Sequence, residues 1–162
     1  MRFVMKEKFW SFGDDFVIRD EEERDCYLVD GEVFTLGDKL SLQDMAGNEL
    51  AFISQRLLAW GPTYEIHRPG EQATVVKKEL FTFFHCKFEV DGPGEQDYEA
   101  AGDFIDHEYE ISSADGLVAT VSKRWFTWTD CYGIEVAAGE DPVLLLAVAV
   151  VIDLVCHADP QR

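Results

Sequence analysis

The chain has 162 residues, a length that favours one domain, and hydrophobic residues make up 47% of it. That fraction supports a sizeable core and excludes wholesale disorder. The 14 basic and 32 acidic residues give a formal net charge of −18. This charge excludes nucleic acid as the expected partner, because phosphate binding requires a basic surface.

Short segments rich in β-branched and aromatic residues recur along the chain, separated by turn signals such as Asp30-Gly31 and Asp115-Gly116. Apolar and polar positions often alternate within them, as they do in half-buried strands. We therefore predict a mainly β protein. In chain order the twelve predicted strands are centred on 3–6, 16–19, 26–29, 39–43, 50–55, 63–67, 73–78, 86–90, 98–101, 108–112, 117–123 and 131–136.

An internal repeat supports this count. Each copy has a basic-tending strand end, two bulky apolar residues, a small residue and an aromatic residue. A short connection then leads to an aromatic residue two positions before Ile or Val. The copies begin at positions 9, 57, 80 and 125, so they are 48, 23 and 45 residues apart. This spacing indicates a unit of about 23 residues, roughly one hairpin, and repeated hairpins favour closure into a barrel.

The C-terminal region has a different pattern. Asp141-Pro142 is a typical helix start, and the following residues to Cys156 are apolar on every face apart from Asp153. A helix that is apolar all round must be surrounded by other elements. We therefore predict a twelve-stranded antiparallel closed barrel, residues 1–162 in a single domain, with a central hydrophobic helix at about 142–156.

Several ordered segments resemble the LURP-one-related family, in its bacterial YxjI-like group, within the tubby C-terminal and phospholipid scramblase-like superfamily. The resemblance covers nearly the whole chain. It implies a twelve-stranded barrel around a C-terminal helix. Some relatives in this superfamily bind phosphoinositides or associate with membranes, so the resemblance also implies a possible lipid ligand. The segments that carry it are 1–8 (MRFVMKEK), 36–41 (LGDKLS), 62–66 (PTYEI), 102–109 (GDFIDHEY), 121–126 (VSKRWF) and 149–153 (AVVID).

Two groups of ligand-type residues could in principle form metal sites. The segment 103–108 offers two aspartates, His107 and Glu108, but neighbouring strand residues point to opposite faces, so we interpret it as a turn. His85-Cys86 and Cys156-His157 lack the spacing of known zinc motifs, and we interpret them as buried cysteines beside edge histidines. We expect no metal, no cofactor and no catalytic residue.

Asp153 is an unusual residue for a central helix, since an ionised carboxylate in an apolar interior requires a partner. One hypothesis is a buried acid tuned for proton chemistry. The structural alternatives, which we favour, are that the helix end emerges at Asp153 or that a donor on the barrel wall satisfies the carboxylate.

Basic residues are scarce, yet four of them recur just before the bulky pair of the repeat: Lys8, Arg56, Lys78 and Arg124. Equivalent repeat positions should lie in one layer of a barrel. These side chains could therefore surround one rim and hold an anionic headgroup. The alternative, which we favour, is that they are solvated strand ends.

The four cysteines lie far apart, and the N-terminus lacks the shape of a signal peptide. We therefore expect buried free thiols in a reducing cytoplasm, with no disulfide. The longest apolar run, 143–152, is too short for a transmembrane segment, which needs about 20 residues.

The acidic residues are distributed along most of the chain, a coat that keeps a protein hydrated and that halophiles use. An ordinary acidic protein is the alternative. From the sequence we predict a soluble, non-catalytic binding or scaffold module whose ligand is unknown. The alternative function is a phospholipid or phosphoinositide headgroup-binding, scramblase-like peripheral membrane protein. The partner types left open are an anionic lipid headgroup and another protein.

Overall fold

The structure is a computed structural model that describes residues 1–6, 15–32, 37–79, 86–126 and 130–157. It consists of twelve strands and a C-terminal helix within these residues. Each strand pairs antiparallel with its neighbours in the sequence, and β1 pairs with β12, so the sheet closes into a barrel. The predicted fold class is therefore confirmed.

The elements follow the predicted order. Their bounds are β1 Arg2–Lys6, β2 Phe16–Asp20, β3 Asp25–Glu32, β4 Lys39–Asp44, β5 Glu49–Gln55, β6 Thr63–His67, β7 Thr74–Lys78, β8 Lys87–Asp91, β9 Asp97–Asp103, β10 Glu108–Ser113, β11 Gly116–Ser122, β12 Cys131–Val136 and α1 Pro142–His157. The largest difference is in β3. Asp30-Gly31 was predicted as a turn but continues this strand, because both residues remain in the ladder opposite Ser41 and Leu40 of β4.

The antiparallel order gives the barrel two distinct ends. All odd-numbered strands end, and all even-numbered strands begin, at one end, which we call the upper rim. At the opposite end, the lower rim, Arg68 follows β6 and forms an ion pair with Asp141 at the start of α1. The last residue of α1, His157, contacts the carbonyl of Phe104 in the β9–β10 turn of the upper rim. The helix therefore runs from the lower rim to the upper rim.

The barrel is filled by alternate strand residues and by the helix. Leu40 and Leu42 of β4 and Ile53 of β5 are buried, while the residues between them are partly exposed. Every α1 residue from Leu144 to Leu154 is buried, which confirms the predicted central helix. Within the described residues, no helix has both the length and the apolar character needed to cross a bilayer.

The start of α1 forms as its sequence predicts. The Asp141 carboxylate accepts a hydrogen bond from the backbone N–H of Val143 at 3.0 Å, which satisfies a donor that has no partner inside the helix. Pro142 takes the first helical position, where a missing N–H costs nothing.

The repeat corresponds to four of the hairpins that turn at the upper rim. The aromatic residue of each copy that precedes Ile or Val by two positions lies at or near the start of an even-numbered strand and is buried. These residues are Phe16, Tyr64, Phe88 and Tyr132. Ile or Val two positions later is also buried, at Ile18, Ile66, Val90 and Ile134. These two positions of the repeat are therefore equally placed in the core in all four copies.

Candidate functional site

A buried polar cluster lies at the upper end of the central helix. Asp153 of α1 is only 2% exposed. The Tyr132 hydroxyl donates a hydrogen bond to its Oδ2, and His107 Nε2 lies 3.0 Å from its Oδ1. Donors from the barrel wall therefore satisfy the carboxylate, as one alternative predicted. The other alternative, that the helix emerges at Asp153, is wrong.

The β9–β10 turn places His107 in this cluster. The Asp103 carboxylate accepts a hydrogen bond from the backbone N–H of Asp106 at 3.0 Å, which tightens the turn. His107 has a φ of 52°, in the left-handed region. Its side chain is 3% exposed, whereas Glu108 remains partly exposed. The interpretation of 103–108 as a turn with divided faces is confirmed, but the inward role of His107 is new.

Two aromatic rings stack on the His107 imidazole. The Tyr132 ring centroid lies 4.1 Å away with an interplanar angle of 20°, and the His157 centroid lies 4.4 Å away at 6°. His157 Nε2 is also 3.0 Å from the Phe104 carbonyl oxygen. The cluster therefore joins the β9–β10 turn, β12 and the last turn of α1.

Two further groups lie close to Asp153. The Tyr109 hydroxyl is buried and has no hydrogen-bond partner among the described residues. Burial raises the pKa of Tyr109 well above its usual value, and the nearby Asp153 charge adds to the effect. Burial likewise raises the pKa of the Cys156 thiol to about 12, despite the opposing positive charge of Lys78. Neither group is ionised at neutral pH.

Three basic residues of the repeat lie at or just after the ends of odd-numbered strands at the upper rim, namely Arg56, Lys78 and Arg124. Lys8 lies outside the described residues. Arg56 is exposed and forms an ion pair with Glu65. Arg124 is exposed, and its Nε lies 3.7 Å from Glu108. Lys78 is partly buried at the end of β7. The Arg56 guanidinium lowers the pKa of Glu65, so this pair is charged at neutral pH.

Exposed apolar side chains mark the connection between β5 and β6. Leu58 is 100% exposed and Trp60 is 97% exposed. Trp60 is an aromatic residue of the repeat, yet it lies outside the core. The backbone N–H of Arg56 donates to the Thr63 carbonyl at 2.8 Å. This bond closes the hairpin beneath the connection and leaves Trp60 beyond the end of the barrel.

The corresponding segment after β11 behaves differently. Trp125 and Phe126 are partly buried against β12 at Gly133, where an added Cβ would lie 2.7 Å from both rings. The guanidinium carbon of Arg2 also lies 4.4 Å from the Trp125 ring centroid, a cation–π distance. Gly133 therefore allows this copy of the repeat to fold back onto the barrel wall.

No disulfide joins the four cysteines, all of which lie among the described residues. The prediction that they are buried is wrong. Cys86 is exposed, and Cys26, Cys131 and Cys156 are partly buried. Each of them lies close to a strand or helix end, where the core no longer covers the side chain. The interpretation of Cys156-His157 as a buried cysteine beside an edge histidine also changes, because His157 stacks on His107 of the buried cluster. His85 lies outside the described residues.

Sequence reasoning identified Asp153 but not its partners. A lone carboxylate in an apolar helix indicates that a donor must exist. No local pattern selects His107, however, which is 46 positions away, or Tyr132, which looks like any other core aromatic. The available signal was the position of Tyr132 in the repeat, which places it at the upper rim.

Comparison with known proteins gives a consistent result. The chain is 36% identical over 162 residues to the uncharacterized protein YxjI of Bacillus subtilis (strain 168), covering all of this chain and 98% of that protein. The X-ray structure of a protein from Arabidopsis thaliana superimposes with a TM-score of 0.66 at 17% identity. It covers 94% of this chain and 90% of its own chain. That likeness supports the fold alone.

The family comparison matches residues 1–153, from the first strand to the carboxylate of the buried cluster. This match includes all twelve strands and most of the central helix. Together with the full-length relative, it shows that the chain belongs to the LURP-one-related family.

Proposed function

We propose that this protein is a non-catalytic binding module and that its partner docks on the upper rim. The observation that carries the proposal is the exposure of Leu58 and Trp60 in the β5–β6 connection. Burying apolar surface contributes about 25 cal/mol per Å² to the free energy of binding. A partner that covers these two side chains would therefore be stabilised by their burial. Tryptophan is also enriched among the residues that dominate protein–protein binding energy.

The charge of the molecule favours a protein partner. With a formal net charge of −18, the surface repels other strongly acidic surfaces and attracts neutral or basic ones. A protein surface with an apolar patch and a neutral or basic margin would complement both the exposed apolar side chains and the negative charge. Four cysteines without a disulfide suit a reducing compartment, and we propose a cytoplasmic location.

The burial of the polar cluster supports a non-catalytic role. His107 and Asp153 are the acid–base pair at this end of the barrel, and both are buried. A general acid or base must come within hydrogen-bond reach of its substrate. The surrounding barrel wall and helix separate this pair from any substrate larger than an ion or water.

A second candidate function is binding to an anionic lipid headgroup. It is favoured by the placement of Arg56, Lys78 and Arg124 at the same rim as the exposed Trp60. Basic residues beside interfacial aromatics are typical of membrane-surface contacts. Glu65 and Glu108 pair with the two arginines, however, so a headgroup would have to displace these carboxylates.

Site-specific photo-crosslinking in cells tests the first proposal. A benzoylphenylalanine is placed at Leu58, and at Met45 in the β4–β5 turn of the lower rim as the control, since both positions are exposed. We expect a discrete protein adduct from position 58 that is absent from position 45. Equal adducts from both positions, or none from position 58, would contradict docking at the upper rim.

Vesicle flotation tests the second candidate. Wild-type protein and the variant Arg56→Gln with Arg124→Gln are mixed with neutral vesicles and with vesicles that contain about one-third anionic lipid. Headgroup binding predicts flotation of the wild type with anionic vesicles only, and its loss in the variant. Absence of flotation with either vesicle excludes the lipid function and leaves the protein-binding proposal unaffected.

A further inference from the structure

The buried cluster at the upper end of α1 has the composition of a metal site. Its two imidazoles and its carboxylate each offer one ligand atom, and these atoms all lie within 4.8 Å of one another. We propose that His107, Asp153 and His157 bind a divalent transition-metal ion of the zinc class. This site is independent of the partner proposed for the rim.

The donor set selects the class of metal. Calcium and magnesium prefer sites built from oxygen ligands, often with several carboxylates. Two imidazole nitrogens and one carboxylate oxygen suit zinc, cobalt or nickel. The two imidazoles also distinguish this group from the many carboxylates on the surface of this acidic protein, which offer oxygen ligands alone.

Hydrogen bonds from neighbouring groups hold two of the ligands in a form ready for metal. His157 Nε2 faces the Phe104 carbonyl at 3.0 Å, so this nitrogen carries the proton and Nδ1 keeps a free lone pair. Metal-binding histidines commonly donate their other N–H to a carbonyl in this way. The Tyr132 hydroxyl occupies Oδ2 of Asp153 and leaves Oδ1 directed at His107.

The spacing is close to that of a coordinated metal. Zinc–nitrogen and zinc–oxygen bonds of about 2.0 to 2.1 Å place tetrahedral ligand atoms about 3.3 Å apart. His107 Nε2 and Asp153 Oδ1 are 3.0 Å apart. The His157 ring lies parallel to the His107 ring, so it must tilt to bring its nitrogen onto the same ion. It is the last residue of α1 and only partly buried, which leaves room for this rotation.

Tyr109 provides an independent observation. Its buried hydroxyl has no hydrogen-bond partner among the described residues, and it lies near Asp153. An unmet buried hydroxyl costs about 1–3 kcal/mol. Three protein ligands leave the fourth tetrahedral position for a water molecule. We infer that such a water is the missing partner of the Tyr109 hydroxyl, so that metal binding would satisfy it.

The bound ion would join the end of α1 to the β9–β10 turn. Since these ligands come together only in the folded barrel, metal binding is coupled to folding. At a free zinc concentration of about a hundred times the Kd, this linkage raises the melting temperature by about 5–10 °C for a chain of this size.

The test uses untagged full-length protein treated with EDTA and then dialysed. Zinc binding is measured by calorimetry, and the Co²⁺ complex by its visible absorption. Melting temperatures are recorded with zinc and with magnesium. We expect one zinc per chain, a tetrahedral Co²⁺ spectrum and a melting-temperature rise with zinc alone.

Two ligand variants and one matched control complete the test. His107→Gln and His157→Gln should each weaken zinc binding by at least about tenfold. His67→Gln, at an exposed histidine of β6, should bind as the wild type does. His107 is buried, so if its variant does not fold, His157→Gln decides. The proposal is overturned if the wild type binds no stoichiometric zinc, or if His157→Gln binds it equally well.

Discussion

A carboxylate inside an apolar barrel needs hydrogen-bond donors in place of the water it has lost. At Asp153 those donors come from two places on the barrel wall, Tyr132 of β12 and His107 of the β9–β10 turn. The cluster therefore fixes the end of the helix relative to two separate elements. These hydrogen bonds help to set the rotation and depth of α1 in the barrel, together with the apolar packing of the helix.

Removing the Tyr132 hydroxyl should have a measurable cost. Tyr132→Phe keeps the buried ring but leaves Oδ2 of Asp153 without its donor, so we expect a loss of about 1–3 kcal/mol in the free energy of unfolding. Urea denaturation at neutral pH measures this value. Tyr98→Phe is the control, because its hydroxyl makes only a long contact of 3.4 Å to Gln96. Equal losses in the two variants would contradict a specific role for the Tyr132–Asp153 bond.

At the scale of elements, α1 and the strands depend on each other. The helix residues from Leu144 to Leu154 have no solvent-facing side, so the helix cannot exist in this form without the barrel. The inward strand residues, such as Leu42 and Ile53, would face an open lumen without the helix, because twelve strands enclose more space than their own side chains fill.

A charge in the middle of α1 should abolish folding. Val148 is buried halfway along the helix, and Val148→Asp would place a carboxylate in this apolar interior, at a cost of several kcal/mol. We expect loss of soluble expression and of the native circular dichroism spectrum. Leu117→Asp, at an exposed position of β11, is the control and should fold normally. Native folding of Val148→Asp would contradict the central placement of the helix.

At the scale of the whole molecule, charge is the dominant property. The formal net charge of −18 is spread over a closed barrel, and the described ion pairs are mostly exposed and individually weak. Repulsion among the acidic residues is stronger in the compact fold than in the expanded chain. The fold is therefore stabilised when this repulsion is screened.

Added salt should raise the melting temperature. The screening length falls from about 10 Å at 0.1 M to about 3 Å at 1 M, so most of the repulsion disappears over this range. We expect the melting temperature to increase steadily from about 0.05 M to about 1 M NaCl in a calorimetric series.

A charge-reduced variant provides the matched control for this series. Glu89→Gln with Glu110→Gln removes two exposed carboxylates and should respond less steeply to salt. A melting temperature independent of salt in the wild type would contradict the repulsion argument. Anion binding by the rim arginines, in contrast, would weaken as salt increases.

The sequence by itself determined the strand count, the strand order and the buried helix. These features depend on local periodicity, on turn residues and on the Asp141 cap, all of which act over a few neighbouring positions. The repeat gives Arg56, Lys78 and Arg124 equivalent positions, and an antiparallel barrel places such strand ends at one rim.

Only the tertiary structure decided which side chains meet at that rim. The partners of Asp153 are 21 and 46 positions away, and they meet it because barrel closure and helix depth bring β12 and the β9–β10 turn to one place. The same reason explains Trp60. The repeat pattern places it beside core aromatics, but its exposure depends on where the β5–β6 ladder ends. Local sequence spacing determines whether a residue points into or out of the barrel. Which residues it contacts there depends on how elements distant in the sequence pack around the core.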